Sequence, residues 1–363
     1  MLTTPLHAKH QTLGASFTDF GGWSMPIRYG SDLDEHHAVR NSAGLFDISH
    51  MGELRVLGDA AGFLDYALTG KLSELKIGKA KYTLITDSQG NVIDDLIVYR
   101  MAEQDFFIVA NASNRHAVLV ALMERVDNFE VEIRDESEDW ALLAIQGPKA
   151  AYILQTLTAT DLSAIKYYSI DQAKLANHEV LLARTGYTGE DGFEVFIKSE
   201  AAEALWDLLL IQGGQELTPC GLASRDTLRL EAGMPLYGHE LNIETNPYQA
   251  GLGKTVRFDK ADFLGRGALF IASTQTPKSK LYGLKGEGKR AARADYELYL
   301  PGGTEPIGIV TSGALSPTLG YPIAMAFLDG QLNLEIGSKI EADVRGTRVG
   351  YEVIDLPFYK RGK

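Results

Sequence analysis

Cysteine is nearly absent from this 363-residue chain, because Cys220 is the only one. A lone cysteine cannot form an intramolecular disulfide, and it excludes zinc sites built from two to four thiolates. Long apolar runs are absent too, and none approaches the roughly 18 residues of a membrane-spanning helix. The N-terminal segment lacks the charged and apolar regions of a signal peptide. We therefore expect a cytoplasmic protein without a membrane partner.

Positive charge is also scarce. The 35 Lys and Arg residues face 48 Asp and Glu residues, which gives a formal net charge of −13. Such a balance argues against a general nucleic-acid or anionic-membrane surface, so any basic partner site must be local. With 45% hydrophobic and 23% charged residues, the chain is expected to fold throughout its length.

Several familiar catalytic motifs are missing or degraded. Gly251–Thr255 ends like a phosphate loop, but Tyr248 stands where that motif needs a glycine. A second glycine-rich stretch has Ala291 in place of the third glycine of a dinucleotide fingerprint. The adjacent His36 and His37 point to different faces of a helix and are poor joint metal ligands. No GxSxG or HExxH motif occurs, and no metal site is expected.

A strand over residues 92–100 carries two carboxylates in an apolar run. Burying an unpaired charge costs several kcal/mol or shifts its pKa, so Asp94 and Asp95 indicate a use. Side chains alternate along a strand, which places Asp94 with Leu96 and Asp95 with Tyr99. Only one of the pair can easily line a given cavity. Alternatively, one Asp caps a turn and the other is solvated.

Residues 184–194 contain three glycines before Glu194 enters a strand. Glycines allow a backbone to approach a ligand closely, although a tight hairpin is an equally good interpretation. Glu194 lies among apolar neighbours, where a carboxylate could accept two hydrogen bonds from the donor edge of a pterin or purine. If Glu194 faces solvent, it carries no such meaning.

A helix is predicted from Arg225 to Ala232, with Ser224 as its N-cap. In the first helical turn, the guanidinium of Arg225 could bind a carboxylate or carbonyl of a ligand. The alternative is an intrahelical salt-bridge face of Arg225, Asp226 and Arg229. His50 is either beside a pocket or a hydrogen-bonded core histidine.

The secondary-structure pattern changes near residue 278. Before it, strands and helices alternate without long crossovers, which favours an antiparallel α+β fold. After it, short strands separated by Gly, Pro and Ser predict a small all-β barrel or sandwich. The polar segment 276–280 is a plausible linker. The length indicates two or three domains.

Taken together, these motifs resemble the T-protein family of the glycine cleavage system, the tetrahydrofolate-dependent aminomethyltransferases. The resemblance covers nearly the whole chain. Its carriers, in chain order, are residues 46–52 (FDISHMG), 93–99 (IDDLIVY), 146–148 (QGP), 185–194 (TGYTGEDGFE), 221–238, 311–321 and 357–361 (PFYKR). The segment 260–267 lacks the cysteine motif of the related iron–sulfur assembly proteins and departs from the T-protein pattern only in Gly267, where Glu is frequent.

The resemblance implies three domains in a cloverleaf around a central cavity. The first would be discontinuous, comprising residues 1–51 and 139–275. The second would be an α+β domain over residues 52–138, and the third a C-terminal β-barrel over residues 278–363.

The resemblance also implies the reaction and its residues. The aminomethyl group on the dihydrolipoyl arm of a lipoylated H-protein would pass to tetrahydrofolate, giving 5,10-methylenetetrahydrofolate, ammonia and the reduced arm. Asp94 would be the acidic residue near N5 and N10 of the folate, Glu194 would bind the pterin edge, and Arg225 would assist. Further residues match positions that line the pocket: Met51, Tyr82, Tyr99, Asn111 and Tyr237.

Two alternatives share this fold. One is a folate-dependent demethylase of a small methylated substrate, and the other is a folate-binding protein without turnover. For an anionic folate tail and an acidic H-protein, local cations must offset the net charge. Two groups are candidates, unless they are ordinary solvated charges: Lys289, Arg290 and Arg293, and Lys360 with Arg361.

Overall fold

The computed structural model describes residues 1–362, and the chain folds into two compact units. The first unit comprises residues 1–83 and 96–226, and the second comprises residues 84–95 and the chain from residue 227 onward. The predicted division into three domains has other boundaries and stays a prediction. Within residues 1–362, no helix is long and apolar enough to cross a membrane.

The helices are short. In chain order they are α1 (His7–Thr12), α2 (Asp32–Asn41), α3 (Ala60–Ala67), α4 (Arg115–Met123), α5 (Ala150–Gln155), α6 (Ala202–Gly213), α7 (Leu222–Glu231) and α8 (Arg266–Thr274). Helix α2 begins at Asp32, because the Ser31 side chain accepts a hydrogen bond from the Asp34 backbone N–H and caps its N-terminus.

The strands up to residue 219 are β1 (Ser16–Phe20), β2 (Trp23–Arg28), β3 (Ala43–Asp47), β4 (Gly52–Gly58), β5 (Ala80–Thr86), β6 (Val92–Ala102), β7 (Asp105–Ala110), β8 (Val131–Asp135), β9 (Trp140–Gln146), β10 (Ile170–Leu175), β11 (His178–Ala183), β12 (Gly192–Lys198) and β13 (Leu217–Pro219). The later strands are β14 (Ser279–Gly286), β15 (Glu297–Tyr299), β16 (Pro306–Leu315), β17 (Pro322–Asp329), β18 (Lys339–Asp343) and β19 (Arg348–Ile354).

A six-stranded sheet organises the first unit. Its order is β10-β11-β12-β9-β3-β13, antiparallel except for the pair formed by β13 and β3. Side chains from β9, β12 and α6 form its main core, including Leu143, Val195, Leu205 and Trp206. The sheet is antiparallel around β12, so the α+β prediction is confirmed and Glu194 is held on a central strand.

Strand β6 belongs to a five-stranded sheet of order β5-β6-β7-β4-β8. Burial alternates along β6 as the sequence pattern predicts: Asp94 and Leu96 are buried, whereas Asp95 and Ile97 are half-buried. The two adjacent aspartates therefore lie on opposite faces of the strand.

The C-terminal strands close into a barrel of order β14-β17-β16-β15-β18-β19. Inward side chains such as Leu284, Val310, Ala326 and Ile340 fill its core. This confirms the predicted barrel and decides against a sandwich, because β14 pairs with both β17 and β19.

Helix α7 begins earlier than predicted. It starts at Leu222 and ends at Glu231, so Ser224 lies inside the helix and is not its N-cap. The Ser224 hydroxyl donates a hydrogen bond to the backbone carbonyl of Gly221, 2.9 Å away. Bonding of this kind to the preceding turn satisfies a serine within a helix, and it places Arg225 at the fourth helical residue.

A buried ion pair lies in the second unit. Arg229 Nη1 donates to Glu240 Oε2 at 3.0 Å, and both side chains are almost completely buried. Glu240 also accepts hydrogen bonds from the Leu236 backbone N–H and from the Thr311 hydroxyl. Arg229 Nη2 donates to Ser312 Oγ at 2.7 Å. The pair thus ties α7 to strand β16 of the barrel.

Cys220 is buried between β13 and α7. Its sulfur lies 3.2 Å from the Thr218 carbonyl oxygen and 3.6 Å from the Glu35 carbonyl oxygen. Burial raises the pKa of the Cys220 thiol well above its ordinary value. The thiol is therefore kept in its neutral form.

Strand β4 carries a buried carboxyl that the sequence did not single out. Glu53 is 0% exposed, and within residues 1–362 no group of another residue forms a hydrogen bond with either carboxyl oxygen. Burial raises the pKa of Glu53 well above its ordinary value, against the opposing effect of Arg115 and with a smaller contribution from Asp135. The folded chain therefore favours the protonated form of this side chain.

Replacing Glu53 with glutamine is expected to stabilise the protein more at high pH than at low pH. Above the ordinary carboxyl pKa of about 4.3, the folded chain binds more protons than the unfolded chain, so the free energy of unfolding of the wild type falls as pH rises. Glutamine has nearly the same shape and does not titrate. Urea unfolding at about pH 5 and about pH 8 measures the difference. The exposed Glu138→Gln is the control, and an equal shift at both pH values would contradict this account.

Candidate functional site

Glu194 is the centre of a polar cluster in the first unit. It lies on β12, opposite Ala144 of β9 and Ala183 of β11, and is half-buried. The Thr185 hydroxyl donates to Glu194 Oε2, and the Tyr99 hydroxyl donates to the same oxygen at 3.4 Å. Tyr99 OH and Thr185 Oγ1 lie 3.2 Å apart. One carboxylate oxygen is thus held in place by two hydroxyl groups.

The pKa values of two side chains in this cluster, Glu194 and Tyr99, are shifted from their ordinary values. Burial raises the pKa of Glu194 above its ordinary value, against the opposing effects of the Thr185 hydrogen bond, the Arg225 charge and the Tyr99 hydrogen bond. Burial also raises the pKa of Tyr99 well above its ordinary value, and the Glu194 charge adds to it. Perturbed groups in a polar cluster are typical of functional sites.

Arg225 supplies the positive charge of this cluster. It is half-buried on α7, and its guanidinium carbon lies 5.0 Å from the ring centroid of Tyr187. Its Nη1 atom is buried and has no hydrogen-bond partner among residues 1–362. Burial lowers the pKa of Arg225, and the Glu194 charge opposes that effect. A guanidinium with an unused buried donor is suited to binding a carbonyl or carboxylate oxygen.

Gln146, a buried residue of the 146–148 motif, holds the glycine-rich segment in place. Gln146 Nε2 donates to the Thr185 carbonyl oxygen at 3.1 Å, and Gln146 Oε1 accepts from Thr188 Oγ1 at 3.0 Å. A Cβ at Gly186 would lie 2.0 Å from Gln146 Oε1. Glycine at 186 thus leaves room for the Gln146 side chain, and Gln146 fixes the backbone of Thr185 beside Glu194.

A second group of predicted site residues lies in the second unit. Asp94 is 0% exposed, whereas Asp95 is half-buried. The Tyr237 hydroxyl donates to the Val92 carbonyl oxygen at 3.2 Å. Burial raises the pKa of Tyr237 to about 12, with further contributions from the charges of Asp94 and Asp95. The catalytic role predicted for Asp94 stays a prediction.

The remaining predicted residues are half-buried and lie at three places in the first unit. Met51 follows the turn before β4, Tyr82 lies within β5, and Asn111 follows β7. Their role in the site stays a prediction. Among residues 1–362, no group of three or more His, Cys, Asp or Glu side chains could hold a metal ion.

The predicted basic groups are exposed. In the second unit, Lys289 Nζ donates to the Gly320 carbonyl oxygen at 2.6 Å, and Arg293 Nη1 donates to the Gly313 carbonyl oxygen at 3.1 Å. Arg290 in the same loop is also exposed. Lys360 and Arg361 are exposed near the C-terminus.

Two family models match consecutive parts of the chain. Residues 6–260 match the model described as GCVT N-terminal domain. Residues 280–360 match the model described as glycine cleavage T-protein C-terminal barrel domain. Together they cover both units of the fold.

Two similar proteins and one solved structure are named aminomethyltransferases. An aminomethyltransferase of Saccharopolyspora erythraea is 52% identical over 361 residues, covering 99% of this chain and 98% of the relative. One of Cutibacterium acnes is 52% identical over 368 residues, with the same coverage. The solved structure of the glycine cleavage system aminomethyltransferase T of Bartonella henselae has a TM-score of 0.92 and 36% identity, covering 99% of this chain and 98% of that one.

Proposed function

This chain belongs to the glycine cleavage T-protein family and is an aminomethyltransferase, and we propose that it transfers a methylene carbon to tetrahydrofolate. The donor is the aminomethyl group on the dihydrolipoyl arm of a lipoylated H-protein. The carbon loses its bonds to sulfur and to the amino nitrogen and gains bonds to two folate nitrogens, and ammonia leaves. The demethylase and the binding protein without turnover are not favoured by the similar proteins.

Glu194 carries the proposal for tetrahydrofolate. Its Oε2 is held by the hydroxyls of Thr185 and Tyr99, which fixes the plane of a half-buried carboxylate. A fixed carboxylate matches the adjacent amino and ring N–H donors of a pterin. The unpartnered Nη1 of Arg225 offers a donor for the ring carbonyl. The polar groups of Glu194 and Arg225 therefore fit the hydrogen-bonding edge of the pterin ring.

We assign the acidic role in the transfer to Asp94, as the family resemblance implies. Asp94 lies on the buried face of β6, and its charge raises the pKa of Tyr237, a second predicted site residue, more than the charge of Asp95 does. As the aminomethyl carbon loses its sulfur it develops positive charge, which a nearby carboxylate stabilises best where water is excluded. The same carboxylate can position a folate nitrogen or accept its proton.

The partner is proposed from the family and from the distribution of charge. The chain carries a net charge of −13, so an acidic H-protein must meet a local basic surface. The exposed loop with Lys289, Arg290 and Arg293 offers such a surface, and Lys360 with Arg361 offers another. The lone buried cysteine supports a reducing location such as the cytoplasm.

The decisive experiment supplies aminomethyl-loaded H-protein and tetrahydrofolate and measures ammonia and 5,10-methylenetetrahydrofolate. We expect both products from the wild type. Replacing Glu194 with glutamine should raise the KM for tetrahydrofolate roughly 10- to 100-fold and change kcat less, because a hydrogen-bonded charged group contributes about 1.5–3 kcal/mol to binding.

Glu179→Gln is the matched control, since Glu179 is exposed on the neighbouring strand β11 and should leave both constants unchanged. Absence of product from the wild type would refute the proposed reaction. If the wild type instead demethylated a small methylated substrate without H-protein, the demethylase alternative would hold.

A further inference from the structure

His50 is a buried histidine in the turn between β3 and β4. It is 3% exposed, and its ring meets the Phe20 ring edge-on, with 5.4 Å between ring centroids. Met51, a predicted pocket residue, follows it directly. None of the polar contacts assigned to the Glu194 cluster uses His50.

The Nδ1 atom of His50 is buried and has no hydrogen-bond partner in the part of the chain that the structure describes. Burial lowers the pKa of His50 to about 4; Asp47 opposes this effect, and the positive charge of Arg225 adds to it. The ring is therefore neutral near pH 7 and has one N–H donor and one acceptor nitrogen. A buried polar atom without a partner is costly, so each such atom calls for an explanation.

His10 shows what a structural histidine looks like in the same unit. It is 0% exposed, yet both ring nitrogens are satisfied. Its Nδ1 lies 2.8 Å from Tyr29 OH, and its Nε2 lies 2.8 Å from Asp47 Oδ2. His50 is equally buried and lacks such a partner at Nδ1, so packing alone does not account for it.

His50 is electrostatically coupled to the ligand cluster. The charge of Arg225 acts on the His50 ring and also on the Glu194 carboxylate. Arg225 Nη1 is the second buried polar atom of this group without a partner. The backbone also connects the two places, because β3, which ends three residues before His50, pairs with β9, and β9 pairs with the strand of Glu194.

We propose that His50 is a further binding residue of the folate site, which makes a hydrogen bond through Nδ1 to a polar atom at the edge of the pterin ring. The inference rests on the proposed folate function of the Glu194 cluster. It divides the recognition of the ring among three side chains: Glu194 binds its donor edge, and Arg225 and His50 bind the remaining polar atoms.

Three substitutions test the position of the nitrogen as well as its presence. The amide of His50→Asn can occupy the place of Nδ1, the amide of His50→Gln reaches toward the place of Nε2, and His50→Leu has no polar atom. Calorimetric titration of the full chain with 5-formyltetrahydrofolate, a stable folate, should give a Kd raised about 10- to 100-fold for His50→Leu and His50→Gln. His50→Asn should stay within about 3-fold of the wild type.

His10→Asn is the control for a structural histidine, and it should lower the unfolding temperature without changing the Kd of the folded protein. If His50→Leu binds with the wild-type Kd, the assignment of His50 is wrong, but the proposed folate function still stands. The same holds if His50→Asn binds as weakly as His50→Leu. Absence of folate binding by the wild type would overturn the proposed function together with this assignment.

A second measurement does not depend on how well a variant folds. In wild-type protein labelled with ¹⁵N-histidine, 5-formyltetrahydrofolate should shift one ring-nitrogen resonance, and that resonance should be missing from His50→Asn. If the His50 resonance does not respond while the protein binds folate, the assignment is wrong.

Discussion

Replacing Asp94 with asparagine is expected to lower kcat roughly 100- to 10,000-fold, the range found for groups that transfer protons or stabilise charge in the transition state. Asparagine keeps the size of the side chain and removes its charge. The cation that develops as the carbon leaves sulfur then loses its counter-charge, whereas the Kd for folate should change little. Single-turnover production of ammonia from aminomethyl-loaded H-protein measures the step directly.

Asp95→Asn is the natural comparison, because it makes the same chemical change at the adjacent residue on the opposite face of β6. The assigned role belongs to Asp94, so we expect the Asp95 variant to retain most of its turnover. If Asp95→Asn loses turnover while folded and Asp94→Asn does not, the assignment to Asp94 is wrong. Equal loss in both would mean that the faces of β6 do not separate the two roles.

The largest effect on stability is expected at the ion pair of Arg229 and Glu240. Removing one partner of a buried pair leaves an uncompensated charge and costs about 3–5 kcal/mol. Glu240→Ala should therefore lower the unfolding temperature of the second unit markedly, and Arg229→Met should do the same. The double variant should lose less than the sum of the two single losses, because it leaves no lone charge.

Lys339 and Glu352 provide the exposed counterpart of this pair. Their side chains meet at 2.8 Å on the barrel surface, but both are well exposed. Glu352→Ala should barely move the unfolding temperature, since exposed pairs are screened by water and salt. A comparable loss at both pairs would show that burial is not what makes Glu240 important.

The sequence predicted the elements whose signals are local. The helix that carries His36 and His37 is present as α2, and the alternation along β6 separates Asp94 from Asp95 as the strand pattern requires. The C-terminal barrel was predicted as one of two possibilities, since the turns between short strands mark their ends but not the pairing of the first strand with the last.

The rest of the site depends on contacts between distant parts of the chain. The orientation of Glu194 depends on hydroxyls 9 and 95 residues away in sequence, and Gln146 reaches Thr185 across 39 residues. Serine is a residue type that is favoured at N-caps, but Ser224 lies inside a helix. The buried, unpartnered atoms of His50 and Glu53 leave no trace in composition or periodicity, because burial without a partner is a property of tertiary structure.

The burial of Cys220 makes its reaction with a thiol reagent a measure of local unfolding. A thiol reagent finds no ionised sulfur on the closed molecule, because burial holds the pKa of this thiol well above its ordinary value. Modification must therefore wait until the first unit opens. Since the chain has no other cysteine, each molecule reacts only once. The time course of labelling therefore measures how often the first unit opens around Cys220.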